Sequence, residues 1–398
     1  MARLITETFE GDHFYRFGNQ LGINGVPDIV LCASEVPVVT LDGLRALSMG
    51  PFDAVLDMPL LNYSGNPTMG VAPGTTVTPD EIYFGFFFWA ANPDEIGQPG
   101  VGGTDVRLTH RIVSVWDGTD GICTLRIGAE GDVKLQLMNG AFFYTDAAFD
   151  YVGTVDPVPI ASSTGSQPIS AGTLYHIQMH VKLDGVNSIV EVKQDDTLVI
   201  SYTGPLNGGL NTTMSRIIFY SAGTSYAQNY ETQYFDDIVV NDTENALCAE
   251  DATWPGVLRF QVQTVSGPGF YSQFTPVGFP LNYQNIEDIP NDGDSTYNYA
   301  LAVNTGFKDS FPVNPNALDP LQITYRAWFE EVIARKTGGT SKLVLGVRVA
   351  GTDYLQPVGQ DVGVSYDVYD SRDCLDPSSL IAWNSAGIDA TEIIYEID

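Results

Sequence analysis

The chain has 398 residues, more than one hydrophobic core usually organises, and 44% of them are apolar, which excludes global disorder. Its 49 acidic residues against 18 basic ones give a formal net charge of −31, a surface that repels phosphate backbones and anionic membranes, so nucleic acid is not an expected partner. No stretch approaches the roughly 20 apolar residues that span a bilayer, so membrane insertion is not expected either.

The N-terminus, Met1 to Glu7, reaches an acidic residue without the apolar core of a secretory signal, and the expectation is a protein made in a cytoplasm. Helical periodicity is nearly absent from the rest of the chain. Ile82 to Trp89 is apolar on both faces, which suits either a central strand covered on each side or a strand whose outer face meets another subunit. Ile112 to Trp116, Ile122 to Ile127 and Val133 to Leu137 are separated by Asp117-Gly118 and by Gly128 to Gly131, and read as a meander. Residues 153–172 are rich in Pro, Ser, Thr and Gly and read as a loop.

Tyr175 to Leu183 alternates without a fault: odd positions are apolar and even ones polar, predicting one face on a core and the other in water. Ile189 to Lys193, the loop Gln194 to Thr197 and Leu198 to Tyr202 read as a hairpin. Arg216 to Tyr220 and Tyr234 to Asn241 come next as strands. A polar stretch from Asp242 to Pro255 marks the expected domain boundary, with strands resuming at Val257 to Thr264, Gln322 to Arg335, Lys342 to Val349, Gly363 to Tyr369 and Thr391 to Glu396. One helical turn is expected near Asp376 to Leu380. The fold class predicted is therefore all-β, with two consecutive antiparallel β-sandwich (jelly-roll) domains at 1–245 and 255–398.

Glu7-Thr8-Phe9-Glu10-Gly11, the meander turn from Gly128 to Val133, Tyr175-His176-Ile177-Gln178 and Phe235-Asp236-Asp237-Ile238-Val239-Val240 occur in an order that resembles laminin G-like, or concanavalin A-like, jelly-roll domains. The sequel is similar to structural proteins of tailed bacteriophages, through the Trp254-Pro255-Gly256 junction, Ile286-Glu287-Asp288, Asn291 to Tyr297, Gly306 to Phe311 and Ala382-Trp383-Asn384. This resemblance implies a component of the virion, assembled in the host cytoplasm, on a tail, tail tip or fibre or as a capsid decoration. Its expected partners are other virion structural proteins, further copies of itself in a homo-oligomer, and a host-surface glycan. The alternatives are a carbohydrate-binding module and, less well supported, a polysaccharide depolymerase.

Catalytic patterns are scarce. The paired carboxylates of glucanases with this fold, Glu-x-Asp-x-x-Glu, are missing, as is a Gly-x-Ser-x-Gly elbow, and Gly100 to Thr104 lacks the lysine of a phosphate loop; the expectation is that the chain is not an enzyme. His176 and His180 are four apart, but on a strand that is about 13 Å, too far to share one metal ion. Cys32, Cys123, Cys248 and Cys374 are too dispersed for a zinc site and read as separate buried thiols, with a Cys248–Cys374 disulfide as the minority alternative. No cofactor is expected. Calcium fits so acidic a surface, at ligands the sequence does not name; Asp236 and Asp237 beside Asp242 are a weak candidate group, against the alternative of strand-end hydrogen bonding. For sugar binding, Trp116 with Asp117 and Asp120 combines an aromatic plate with polar loop groups, against the alternative of a tryptophan plugging a sandwich.

Overall fold

The computed structural model describes residues 3–7, 19–21, 28–31, 45–49, 55–60, 76–90, 110–118, 120–127, 134–140, 159–163, 168–170, 172–220, 233–242, 253–256, 263–286, 294–301, 303–314, 328–373 and 375–398. The chain forms two compact units, one built mainly from Thr76–Phe260 with the strands before it, the other mainly from Gln261–Asp398. Both are antiparallel β-structures. The expected restarts at 257–262 and 322–327, and Cys32, Cys248 and Cys374, lie outside the described residues.

In the first unit the strands are β1 (Arg3–Glu7), β2 (Asn19–Leu21), β3 (Asp28–Leu31), β4 (Arg45–Met49), β5 (Val55–Pro59), β6 (Glu81–Ala90), β7 (His110–Asp117), β8 (Asp120–Ile127), β9 (Leu135–Asn139), β10 (Ala161–Ser162), β11 (Leu174–Lys182), β12 (Ile189–Gln194), β13 (Thr197–Thr203), β14 (Arg216–Tyr220) and β15 (Gln233–Asp242). One sheet has the order β13-β12-β11-β6-β15-β4-β3, with β1 also on β15, and the other the order β10-β9-β8-β7-β14-β5-β2. Phe86 of β6 and Phe235 of β15 meet Phe219 of β14 at 5.2 and 5.1 Å between ring centroids, edge to face, so the two sheets lock through aromatic pairs. Ile82, Phe84, Phe86 and Phe88 fill that interior, while Phe87 and Trp89 on the other face of β6 are buried too. Ile82 to Trp89 is thus the covered central strand, held between β11 and β15.

The β12–β13 hairpin turns on Asp195 and Asp196, both at positive φ, the backbone of a turn whose twist suits a hairpin. Their carboxylates reach back to β11: Asp195 accepts the backbone N–H of His176 at 2.9 Å, and Asp196 accepts the amide of Gln178 at 2.9 Å. A short polar turn so ties the edge of the sheet to its middle.

The second unit contains β16 (Thr275–Val277), β17 (Tyr297–Tyr299), β18 (Lys308–Pro312), β19 (Trp328–Ala334), β20 (Lys342–Val349), β21 (Thr352–Leu355), β22 (Gln360–Asp361), β23 (Asp367–Asp373) and β24 (Thr391–Ile397). A sheet ordered β18-β24-β20-β21, with β22 on β20, accompanies the pairs β19-β23 and β16-β17. Phe311, Leu343, Leu345, Tyr369 and Tyr395 form one core cluster, and Trp328, Val347, Val349, Trp383 and Ile388 another. At Asp376 to Leu380 the chain makes a single turn closed by the Leu380 N–H on the Asp376 carbonyl at 2.8 Å, the bond of one helical turn; the Asp376 carboxylate takes hydrogen bonds from Ser378 and Ser379, and the positive φ of Leu380 stops it from continuing. An α-helix forms later, α1 (Ser385–Asp389), where the Asn384 side chain caps the N–H of Gly387.

Candidate functional site

The outer face of the seven-stranded sheet gathers cations that are scarce in this chain. On β7 the register slips between Arg111 and Val113, so Ile112 is an extra residue and Arg111 pairs directly with Arg126 of β8. That bulge turns Arg111 outward, and its guanidinium lies 4.5 Å from the ring centre of Tyr220 on β14. Arg216, at the start of β14, stands 5.4 Å from the ring of Trp116. Arg126 is buried and donates from Nε to Gln136 Oε1 at 3.0 Å.

Between the arginines runs a short polar relay. Trp116 donates its indole N–H to Ser114 Oγ at 2.6 Å, and Ser114 shares a 2.6 Å hydrogen bond with the Tyr220 hydroxyl. Burial pushes the Tyr220 phenol up, against the pull of the Arg111 charge and the Ser114 hydrogen bond, so the hydroxyl stays neutral. Like charges set directly opposite each other on a sheet are destabilising, yet Arg111 and Arg126 are so placed in a protein with net charge −31. Arg111 and Arg216 are half-buried, and Trp116, Tyr220 and Arg126 lie deeper. Arg111 and Arg216 are the members of this row that reach the surface, and a guanidinium is a forked donor suited to a carboxylate.

Of the sequence candidates, Trp116 is thus buried within this row rather than standing free as a plate. Asp117 faces the loop after β13, accepting from Asn211 Nδ2 at 3.3 Å and Thr213 Oγ1 at 3.2 Å, while Asp120 is exposed across the turn. The structure brings Trp116 together with Arg216, Ser114 and Tyr220, partners that alternation could not supply. Gly100 to Thr104 lies outside the described residues.

The eight-stranded sheet corrects a second expectation. Its outer face on β11 does not meet water: His176, Gln178 and His180 are all buried. The cover is the chain after β15, where Gly256 donates its N–H to Gln178 Oε1 at 2.9 Å and Trp254 packs against Tyr83 and His180 with Lys193 Nζ 4.1 Å from its ring. Gly256 has a positive φ, which explains a glycine there. His180 stacks flat on Tyr83 at 4.0 Å, and its two ring nitrogens face Glu81 at 2.8 Å and Glu191 at 3.1 Å. Burial alone would raise the Glu81 carboxyl, but hydrogen bonds from His180 and Lys182 outweigh it and hold it low. Burial and the charges of Glu81 and Glu191 push the Tyr83 hydroxyl up to about 12.

Asp236, Asp237 and Asp242 share β15, where Asp237 sits in a bulge at positive φ. Five residues of strand separate Asp237 from Asp242 by about 16 Å, so Asp242 cannot join the other two around one calcium. Among the described residues no three His, Cys, Asp or Glu side chains gather as a metal site. In the second unit, Glu330 of β19 is buried, and burial together with the nearby Asp373 charge holds its carboxyl well above the ordinary range, against hydrogen bonds from the backbone of Gly346 and from Ser371. Burial likewise raises Asp373 to about 6. Trp383 donates its indole N–H to the Asp373 carbonyl at 2.8 Å.

No family model matches the chain, and no curated protein does. Among solved structures the fold is similar to an endo-β-1,4-glucuronan lyase from the fungus Trichoderma reesei, at 12% identity over 62% of this chain and 100% of that one, with a TM-score of 0.37. It is similar also to alginate lyase Aly36B, at 12% identity over 59% and 95% of the two chains with a TM-score of 0.35, and to a sialidase, of which it spans 16%. The sialidase match has 14% identity over 51% of this chain and a TM-score of 0.30. At such identities the likeness concerns the β-sandwich alone.

The expectation that the chain is not an enzyme is corrected by these neighbours, several of which are lyases. A lyase works by proton abstraction and elimination, so it does not need the two facing carboxylates on whose absence that expectation stood.

Proposed function

We propose that the chain is a virion-surface β-sandwich protein that recognises an acidic glycan through the outer face of its seven-stranded sheet. The observation that carries the recognition is the placement of Arg111 over Tyr220 and of Arg216 over Trp116, with Arg126 paired beside Arg111. With only 18 basic residues in the chain, three arginines on adjacent strands of one sheet concentrate its scarce guanidinium groups, the side chains best suited to an anionic ligand. Carboxylates take guanidinium groups two bonds at a time.

The virion setting rests on the order of the phage-like motifs, from Glu7-Thr8-Phe9 through Trp254-Pro255-Gly256 to Ala382-Trp383-Asn384. Two measurements test the two halves. Calorimetric titration of the full chain with an acidic polysaccharide and a neutral one should give binding to the acidic polymer, weakened about tenfold or more by Arg216→Met. Equal affinity for both polymers, or none, would reject the recognition. Mass spectrometry of purified particles, separated into heads and tails, should find the chain in one fraction; its absence from both would reject the setting.

A further inference from the structure

The second unit carries a surface whose chemistry departs from the rest of the chain. No charged residue occurs between Gln261 and Ile286, nor between Ser295 and Phe307, in a sequence that is 17% charged and strongly acidic. The described parts of these stretches form one packed piece. Strands β16 and β17 pair from Thr275 with Tyr299 to Val277 with Tyr297, and the turn at Gly278, with a positive φ and no room for a Cβ beside Thr296, closes on them.

Side-chain amides hold this piece together, with the buried Asp309 carboxyl accepting from the backbone N–H groups of Gln273 and Phe274 and from the Asn282 amide. Asn285 clamps the backbone of Phe279 through both its N–H at 2.8 Å and its carbonyl at 3.0 Å. Asn282 donates to the carbonyl of Phe274 at 3.0 Å, and Asn298 to that of Asn282 at 2.9 Å. Outward from the scaffold stand Phe279, Leu281, Tyr297, Tyr299, Leu301 and Val303, with Leu301 59% and Val303 86% exposed. Among the described residues the first unit exposes only Val186, Leu198 and Leu210 of its large apolar side chains. Ionic groups border the stretch: Asp294 is bound bidentately by Arg335 at 2.7 Å, and Lys308 contacts Asp353 at 3.0 Å and Glu396 at 3.1 Å.

We infer that this apolar surface, whose described side chains carry no charge, is where a second copy of the same chain docks. The reason is electrostatic. Two molecules of net charge −31 repel over most of their surfaces, and they can approach closely only where each is free of carboxylates. A basic partner would gain from acidic contacts and would give no reason to clear them from this one region. The six apolar side chains expose on the order of 500 Å², in the upper part of the range for the largest apolar patch on a monomer, where such patches are often functional. A pre-ordered scaffold with an apolar centre and a charged rim is also the anatomy of a protein interface. Ile82 to Trp89, whose two apolar faces suit a subunit contact in sequence, is covered within its own unit and offers no such face. The inference stands independently of the glycan reading.

The test uses the full chain in sedimentation and light scattering across a dilution series at low and high salt. Self-association is expected, strengthening as salt screens the repulsion. Val303→Glu should weaken it by about tenfold or more, whereas Leu210→Glu, an equally exposed site on the first unit, should leave it unchanged. Circular dichroism melting checks that both variants fold. A wild type monomeric throughout, a V303E chain that associates as the wild type does, or a monomer that instead binds a neutral oligosaccharide through Tyr297 and Tyr299 would overturn the inference.

Discussion

Replacing Asp373 by Asn removes a carboxyl that the second unit holds in its wrong charge state. Burial raises this group from the ordinary 3.8 to about 6, so the folded chain binds a proton more tightly than the unfolded one. Below about pH 3.8 both states are protonated and the group costs nothing. As the pH rises, the unfolded state ionises first and stability falls, until above about 6 the folded state ionises as well and the loss levels off. The gap corresponds to ~3 kcal/mol at neutral pH, an order of magnitude for one buried carboxyl. Asn keeps the shape and the backbone carbonyl that accepts from Trp383. Asp373→Asn should therefore match the wild type near pH 3.5 and exceed it by ~3 kcal/mol at pH 7. Urea unfolding of both proteins from acid to neutral pH, followed by tryptophan fluorescence, measures the difference. A difference that does not change with pH would refute the reasoning.

Glu330→Gln should act in the same direction over a window that opens above the ordinary 4.5, and the two variants should be less than additive because each carboxyl raises the cost of the other, as paired unfolding curves will show. Glu81→Gln has the opposite sign: its carboxyl is held low by His180 and Lys182, so the variant should lose stability above pH 4.5 and converge on the wild type in acid, again by urea midpoint. Trp254→Ala uncovers His180 and Lys193 and should lower stability by about 2 kcal/mol, with faster hydrogen exchange at Gln178 and His180. Cys123 is buried, with its thiol pushed up to about 12, so peptide mapping after alkylation at pH 8 should find it unmodified in the folded chain and modified in urea.

Much of the fold is legible in the sequence because alternation and turn chemistry are local. Tyr175 to Leu183 shows a strand and its inner face, and the Asp195-Asp196 turn announces the hairpin. The outer face escapes for a non-local reason: whether His176 and His180 meet water depends on Trp254 and Gly256, which return to them from far along the chain. The aromatic–arginine row is hidden by register. Strict alternation through Val113 and Val115 puts Arg111 inside, and only the bulge at Ile112 sets it beside Arg126. Trp116 stands out in the sequence as an aromatic on a strand end, but Arg216 and Tyr220 reach it by pairing between strands about a hundred residues apart in order, which no spacing encodes. In the second unit, Asp376 looks like a helix start because Asp and Ser cap helices; there the same hydrogen bonds close a turn, and Asn384 caps the helix.

The recognition face is tested most directly by hydrogen-exchange mass spectrometry of the full chain with and without an acidic oligosaccharide. Protection is expected only in peptides of β7, β8, β9 and β14, around Arg111, Arg126 and Arg216. Protection on β11 and β12 instead, or none at saturating ligand, would contradict recognition through this face.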